Sequence, residues 1–219
     1  MSKRRTTRII NVGGIKIGAK FPIRIQSMTK TDTRDTKKTI AQIRGLEKSG
    51  SEIVRVAVKD ILAARAIKTI KKKIKIPLVA DIHFDYRLAL ESIKAGADKI
   101  RINPGNISKP TELKEIIKSA KKRKIPIRIG LNSGSLKKPS SEPPRFGMVN
   151  TALKYIKLFE KENFRDIIVS LKSSNVEETV SAYRRLAVLC NYPFHLGITA
   201  AGPCDTGVIK SAIGIGTLL

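Results

Sequence analysis

Four times in this 219-residue chain an arginine stands between two β-branched residues: Ile23-Arg24-Ile25, Val54-Arg55-Val56, Ile100-Arg101-Ile102 and Ile127-Arg128-Ile129. β-branched residues favour strands, and strand side chains alternate between two faces. The aliphatic neighbours therefore share one face and the arginine takes the other. With the aliphatic face packed on helices, the four guanidinium groups point into one shared interior. Buried unpaired charge is too costly to be incidental. Converging arginines thus imply an anionic guest, and the planar guanidinium fits carboxylate or phosphate in a bidentate manner.

Short apolar strands recur near residues 23–28, 53–58, 78–82, 99–103, 126–130, 166–171 and 194–199, with helical patterns between them. Ile67, Ile70 and Ile74 trace one helix face, Leu113, Ile116, Ile117 and Ala120 a second, and Val176, Val180, Tyr183, Ala187 and Cys190 a third. Strands alternating with helices pair in parallel. The expected fold is therefore α/β, a TIM-type (β/α)8 barrel. A hairpin over residues 8–17, turning at Gly13-Gly14, precedes it. Asp60 is the expected cap of the second helix, and Ser174 with Glu177 reads as a capping box. The count stops at seven strand–helix units, because the helical pattern over 207–218 is followed by no eighth strand. A barrel short of one strand exposes two unpaired edges. Residues 1–219 are accordingly expected to form one barrel, incomplete at its C-terminal end: a fragment, a split-gene product, or a barrel completed by another chain.

Charge raises a different possibility. Lysine and arginine number 44 against 18 aspartate and glutamate, a net +26, which first suggests nucleic acid. The runs Lys71-Lys72-Lys73 and Lys121-Lys122-Arg123-Lys124, however, close amphipathic helices, where cations complement the helix dipole. Aromatic residues make up 5% and show no stacking pattern with those runs. No apolar run reaches the roughly 18 residues of a membrane span, and no signal-peptide pattern follows the basic start. Cys190 and Cys204 make no disulfide framework. A reducing, cytoplasmic setting is expected, and cluster- or metal-type cysteine spacing is absent.

Polar residues gather at the C-terminal ends of the strands, the active-site end of a (β/α)8 barrel. Arg55, Arg101 and Arg128 share their faces with Ala57, Asn103 and Gly130, small or polar residues that leave room for a ligand. Arg24 precedes Gln26 and Met28 and is expected low in the barrel. Asp81 and His83 share one face, either as an acid–base pair or with Asp81 neutralising the arginines. Lys172 has the parity of Ser170 and points inward, as a phosphate clamp or a Schiff-base lysine. His195 shares its face with Gly197 and Thr199, and a structural role is equally open to it. The glycine-rich loops 103–106, 130–135 and 200–207 follow strands, and residues 133–146, with Pro139, Pro143 and Pro144, are either a lid or a plain surface loop.

The segments Ile25-Gln-Ser-Met-Thr29, Ile53-Val-Arg-Val56, Pro77 to Arg87 (with Asp81-Ile-His-Phe-Asp-Tyr-Arg87), Arg101-Ile-Asn-Pro-Gly-Asn-Ile107, Ile125 to Gly130, His195 to Thr199 and Lys210 to Gly216 carry a family resemblance. They resemble 4-hydroxy-3-methylbut-2-enyl diphosphate synthases, iron–sulfur oxidoreductases of the non-mevalonate route of isoprenoid (terpenoid) biosynthesis. The resemblance implies a barrel that binds 2-C-methyl-D-erythritol 2,4-cyclodiphosphate. It also implies a C-terminal domain whose 4Fe-4S cluster is held by three cysteines and a glutamate, ferredoxin or flavodoxin as electron donor, and a homodimer or a separate C-terminal part. By motif, Arg55, Arg101, Arg128, Asn132 and Lys172 match diphosphate-binding positions, with Asn103 beside them in the Arg-Ile-Asn-Pro-Gly-Asn run, while Asp81 and His83 lie beside the reacting carbon chain as catalytic candidates. The family's eighth strand and cluster domain have no counterpart in the sequence, and Ala200 stands where many relatives carry Glu. The chain by itself is therefore expected to bind substrate without completing the redox chemistry. The competing readings are a pterin-binding type of barrel enzyme and a basic nucleic-acid-binding remnant.

Overall fold

The computed structural model describes residues 5–135 and 144–219. A hairpin of β1 (Ile10–Val12) and β2 (Ile15–Ile17) comes first, followed by β3 (Gln26–Met28), α1 (Thr36–Lys48), β4 (Ile53–Val58) and α2 (Ile61–Lys71). The alternation continues through β5 (Leu78–Ile82), α3 (Tyr86–Ala95), β6 (Lys99–Ile102), α4 (Pro110–Arg123), β7 (Ile127–Asn132), α5 (Pro144–Lys161), β8 (Ile167–Lys172), α6 (Val176–Ala187) and α7 (Cys204–Gly216). Strands β3 to β8 form one six-stranded sheet in sequence order, every pair parallel. This is an incomplete (β/α)8 barrel: β3 is an outer strand of the sheet, and among the described residues none pairs on its free side.

Short-range chemistry starts the helices. Asp35, Asp60 and Asp85 accept hydrogen bonds from the backbone N–H of Lys38 (3.0 Å), Ala63 (2.8 Å) and Arg87 (2.9 Å), each satisfying one orphan donor of a first turn. Asp60 caps α2 as the sequence suggests. The cap of α6 is Asn175, not Ser174: its Oδ1 accepts from Glu178 N at 3.0 Å. The Ser173 hydroxyl donates to Glu178 Oε2 at 2.7 Å. The apolar stripes of α2 and α4 are buried against the outer face of the sheet.

Two strand expectations need correction. β3 begins at Gln26, and Arg24 lies before it, paired with Glu52 rather than with Asp81: Arg24 Nη1 lies 2.5 Å from Glu52 Oε1, and Ile25 N donates to Glu52 Oε2. Ile23 and Ile25, expected beneath helices, are 53% and 59% exposed. The seventh strand is reduced to a single bridge between Val169 and Phe194. Residues 193–199 still run beside β8, with His195 N donating to Val169 O (2.9 Å) and Thr199 N to Ser173 O (3.2 Å). Between those bonds the Tyr183 hydroxyl intervenes, accepting from Leu171 N at 3.0 Å and donating to His195 O at 2.5 Å. A side chain thus replaces one rung of the ladder.

The hairpin closes the floor of the barrel. Ile10 and Val12 pack with Ile53, Val79 and Ile168, whose side chains point inward from β4, β5 and β8, in a cluster separate from the main core. The Gly13-Gly14 turn forms as expected, both residues at positive φ (55° and 95°). At Gly13 a Cβ would lie 2.8 Å from Asp98 Cγ and 2.9 Å from Pro77 Cβ, so the turn is pressed against the sheet. No helix of the described residues is long and apolar enough to cross a membrane. Truncating the plug by Ile10→Ala should cost about 2–5 kcal/mol, seen as a lower urea midpoint. A midpoint equal to that of the parent chain would show that the hairpin is not part of the cooperative core.

Candidate anion site in the barrel lumen

Strand alternation carries a set of polar side chains to the inner face: Gln26, Arg55, Asp81, Lys99, Arg101, Arg128, Ser170 and Lys172. Asp81, on β5, is almost fully buried and anchors the group. Arg101 Nη1 lies 3.0 Å from its Oδ1, and Arg55 Nε lies 3.6 Å from its Oδ2. Arg101 Nη2 also donates to Gly130 O at 3.1 Å, while Arg55 Nη2 lies 2.8 Å from Met28 Sδ. Gly130 has a spatial reason to be glycine: a Cβ there would sit 2.5 Å from Arg101 Nε and 3.2 Å from Ser170 Oγ. Of the four arginines that prompted the search, three converge, and Arg24 does not.

The cations outnumber the carboxylate. Arg55, Lys99, Arg101, Arg128 and Lys172 act on one another, and Asp81 is the acid that offsets them. Arg128 is 1% exposed, and its Nε and Nη1 find no hydrogen-bond partner among the described residues. The same is true of Arg101 Nε and His83 Nε2. Burial, then the charges of Arg55 and Arg101, pull the Arg128 guanidinium down to about 9. Burial, then Arg128, Arg55 and Arg101, bring the Lys172 ammonium down to about 7. His195 is held well below the ordinary imidazole value by burial and then by Arg128, Lys172 and Lys99, so it is a neutral ring facing this cluster. Buried donors without acceptors carry a desolvation cost that an arriving anion removes.

The remaining candidates take places around this centre. His83 Nε2 is 3.9 Å from Asp81 Oδ2, at the C-terminal end of β5. Asn132 and Lys172 are register partners at the ends of β7 and β8. Lys172 points toward the 193–199 segment, where a Cβ on Gly197 would meet its Nζ. Asn103 is buried, and its Oδ1 accepts from Gly105 N at 3.0 Å, turning the loop that follows β6. Most of the lid or surface-loop stretch, residues 136–143, lies outside the described residues. Cys190 follows α6 rather than belonging to it; it packs partly buried on the core, while Cys204 opens α7 and is exposed. Among the described residues no three His, Cys, Asp or Glu side chains gather to hold a metal ion. The residues described here therefore do not fit an iron–sulfur cluster.

Sequence reading passed over Lys99. It is 1% exposed on the inner face of β6, and its Nζ donates to Gln26 Oε1 at 3.0 Å. The signal was present, since Lys99-Ile100-Arg101-Ile102-Asn103 alternates without interruption.

Burial, and after it the crowding of cations, makes stability depend on pH. An unfolded lysine titrates near 10.4, so between about 7 and 10 the unfolded chain binds more protons than the native Lys172 site, and stability rises with pH across that window. His195 works in the same direction below about 6.5, where only the unfolded imidazole takes up a proton. Above about 10 Tyr183 and Tyr192 work in the opposite direction, because burial keeps their phenols protonated in the native state, while Arg128 continues to favour the native state as pH rises. The thermal midpoint of the ligand-free chain should be higher at pH 9 than at pH 6, and Lys172→Met should flatten the rise between 7 and 9. A midpoint that falls over that interval would contradict a buried, deprotonating Lys172.

Comparison with known proteins now places the chain. In fold it resembles the dihydropteroate synthase of Xanthomonas albilineans, with a TM-score of 0.71 at 11% identity over 97% of this chain and 88% of that one. It also resembles the Plasmodium falciparum HPPK-DHPS, with a TM-score of 0.67 at 12% identity over 95% of this chain and 45% of that one. At such identities the likeness is one of fold alone and does not support the pterin reading. In sequence the chain is 56% identical over its whole length to a protein of Thermodesulfovibrio yellowstonii named 4-hydroxy-3-methylbut-2-en-1-yl diphosphate synthase (flavodoxin), and covers 64% of it. A protein of the same name from Caldanaerobacter subterraneus is 55% identical over 99% of the chain, which covers 62% of it. The chain thus spans less than two thirds of the length of these curated relatives. Residues 7–219, hairpin plug and polar lumen included, match the GcpE TIM-barrel domain, and the chain belongs to that family.

Proposed function

We propose that this barrel is the substrate-binding part of a 4-hydroxy-3-methylbut-2-enyl diphosphate synthase and holds 2-C-methyl-D-erythritol 2,4-cyclodiphosphate in its lumen. The observation that carries this reading is Arg128, essentially fully buried with two guanidinium nitrogens unpartnered, amid cations that one carboxylate offsets. A diphosphate supplies the missing acceptors and the missing negative charge. The names of relatives at 55–56% identity agree with that chemistry.

In this reading Arg101 and Arg128 bind phosphoryl oxygens through fixed, planar donors. Lys172 and Asn132 close the site from the strand ends, and Asn103 shapes the adjoining loop. Asp81 holds Arg101 and Arg55 in place. His83, with Nε2 unpartnered beside Asp81, is placed to hydrogen-bond a substrate hydroxyl and to move a proton at the oxygen that leaves as water. The overall change is a two-electron reduction that opens the ring and releases water. A 4Fe-4S centre in a homodimer or in a separate C-terminal part would supply the electrons, with flavodoxin or ferredoxin as their source. Cytoplasmic placement belongs to the same proposal.

Calorimetric titration with the cyclodiphosphate tests the assignment. Saturable binding is expected, and Arg128→Ala or Arg101→Ala should weaken it by roughly 2–5 kcal/mol, the cost of unpairing a buried phosphate charge. Affinity unchanged by both substitutions would sink the lumen as the site. The same ligand at about 100 times its dissociation constant should stabilise the chain by about 2.7 kcal/mol, raising its thermal midpoint, and Arg128→Ala should abolish most of that rise.

A further inference from the structure

Lys99 has no role in the site as drawn so far, yet its surroundings are unusual for a lysine. It sits on β6 in register with Val79, a member of the floor cluster, and two residues below Arg101. It is 1% exposed, and among the described residues its Nζ donates to a neutral amide oxygen, Gln26 Oε1, reached across the lumen from β6 to β3. The charged and titratable groups that face it are Arg128 from β7, Arg55 from β4 and the neutral His195 ring from the 193–199 segment. Among the described residues no carboxylate pairs with it, and Asp81 is engaged by Arg101 and Arg55. Lys172 has a similar position nearer the mouth, facing Arg128, Arg55 and Arg101, with Asp81 the one opposing charge.

We propose that the lumen takes up protons as an anion enters, and that Lys99 on its floor and Lys172 near its mouth are the residues that receive them. The inference rests on the lumen being an anion site. Even Arg128, drawn down to about 9, keeps its proton at pH 8, so at that pH an empty lumen holding Arg55, Arg101 and Arg128 lowers its self-repulsion through its lysines. Both lysines are held below their ordinary value by burial first and neighbouring guanidinium charge second. A multivalent anion among the arginines reverses the second cause, and the lysines then favour their charged form. The empty site is thereby spared part of the cost of buried like charges, and full charge develops only when the guest is present. By linkage, affinity for the anion falls as pH rises through the range in which the free lysines lose their protons. Arginine at either position would remove that dependence.

The test uses a probe whose own charge does not titrate, methanedisulfonate, bound to the full chain at pH 8. Heats measured in Tris and in triethanolamine buffers separate protons taken from the buffer from the heat of binding. About one proton taken up per anion is expected. Lys172→Met and Lys99→Met should each lower that number, and Lys99→Arg, which keeps the charge permanently, should lower it as well. Saturable binding with the same heat in both buffers would overturn the proposal and leave the anion site standing. Failure of the parent chain to bind the probe or the cyclodiphosphate would overturn both. A folded Lys99→Met or Lys99→Arg chain with the full proton number would remove Lys99 from the assignment.

Discussion

Asp81 is a buried carboxylate set among buried cations, and the organisation of the lumen depends on it. It engages Arg101 at 3.0 Å and Arg55 at 3.6 Å, which fixes two guanidinium groups at the centre of the sheet's inner face. One carboxylate cannot satisfy three arginines and two lysines. The surplus leaves Arg128 with buried donors that lack acceptors among the described residues, and it adds to burial in drawing Lys172 down to about 7 and keeping His195 neutral. A site built in this way is costly when empty, which supports the proposal that a multivalent anion occupies it.

The scaffold meets that cost elsewhere. Outside the sheet, helices bury the aliphatic halves of the same strands whose alternate residues are charged, so Ile100 and Ile102 pack while Lys99 and Arg101 face inward. Below, the hairpin seals the floor with Ile10 and Val12, which keeps water from the cations at that end. Beside β8, the Tyr183 hydroxyl couples Leu171 to His195 and so holds the 193–199 segment against the lumen without a full strand ladder. Packing and polar placement are thus two results of one alternation.

Much of this was legible from sequence, because the relevant signals are local and periodic. The period of two in Val54-Arg55-Val56 and its counterparts predicts which side chains share a face, and the sheet places Arg55, Arg101 and Arg128 together as that parity implies. The turn at Gly13-Gly14 and the cap at Asp60 are equally local, set by backbone conformation and by one side-chain acceptor. The failures have long-range causes. Arg24 has the same local pattern as the other three, but Glu52, distant in sequence, pairs with it just before the strand begins. The 194–199 run has a strand's composition, but the Tyr183 side chain occupies a rung. Lys99 followed the alternation that revealed Arg101 and was overlooked because lysines crowd this sequence and most of them are solvated.

The sequence by itself determined the class of fold, the inward parity of the strands and the excess of cations over acids on that face, since each follows from residue order along a single strand. Only the tertiary structure decided which cations share Asp81, which donors remain without acceptors, and which lysines are buried deeply enough to give up their protons. Those properties depend on distances between strands and on the exclusion of water by groups far apart in sequence, such as the floor formed by Ile10, Val12, Ile53, Val79 and Ile168. Charge in a protein takes its meaning from its surroundings, and the surroundings exist only after the sheet has curled and its lumen has closed below.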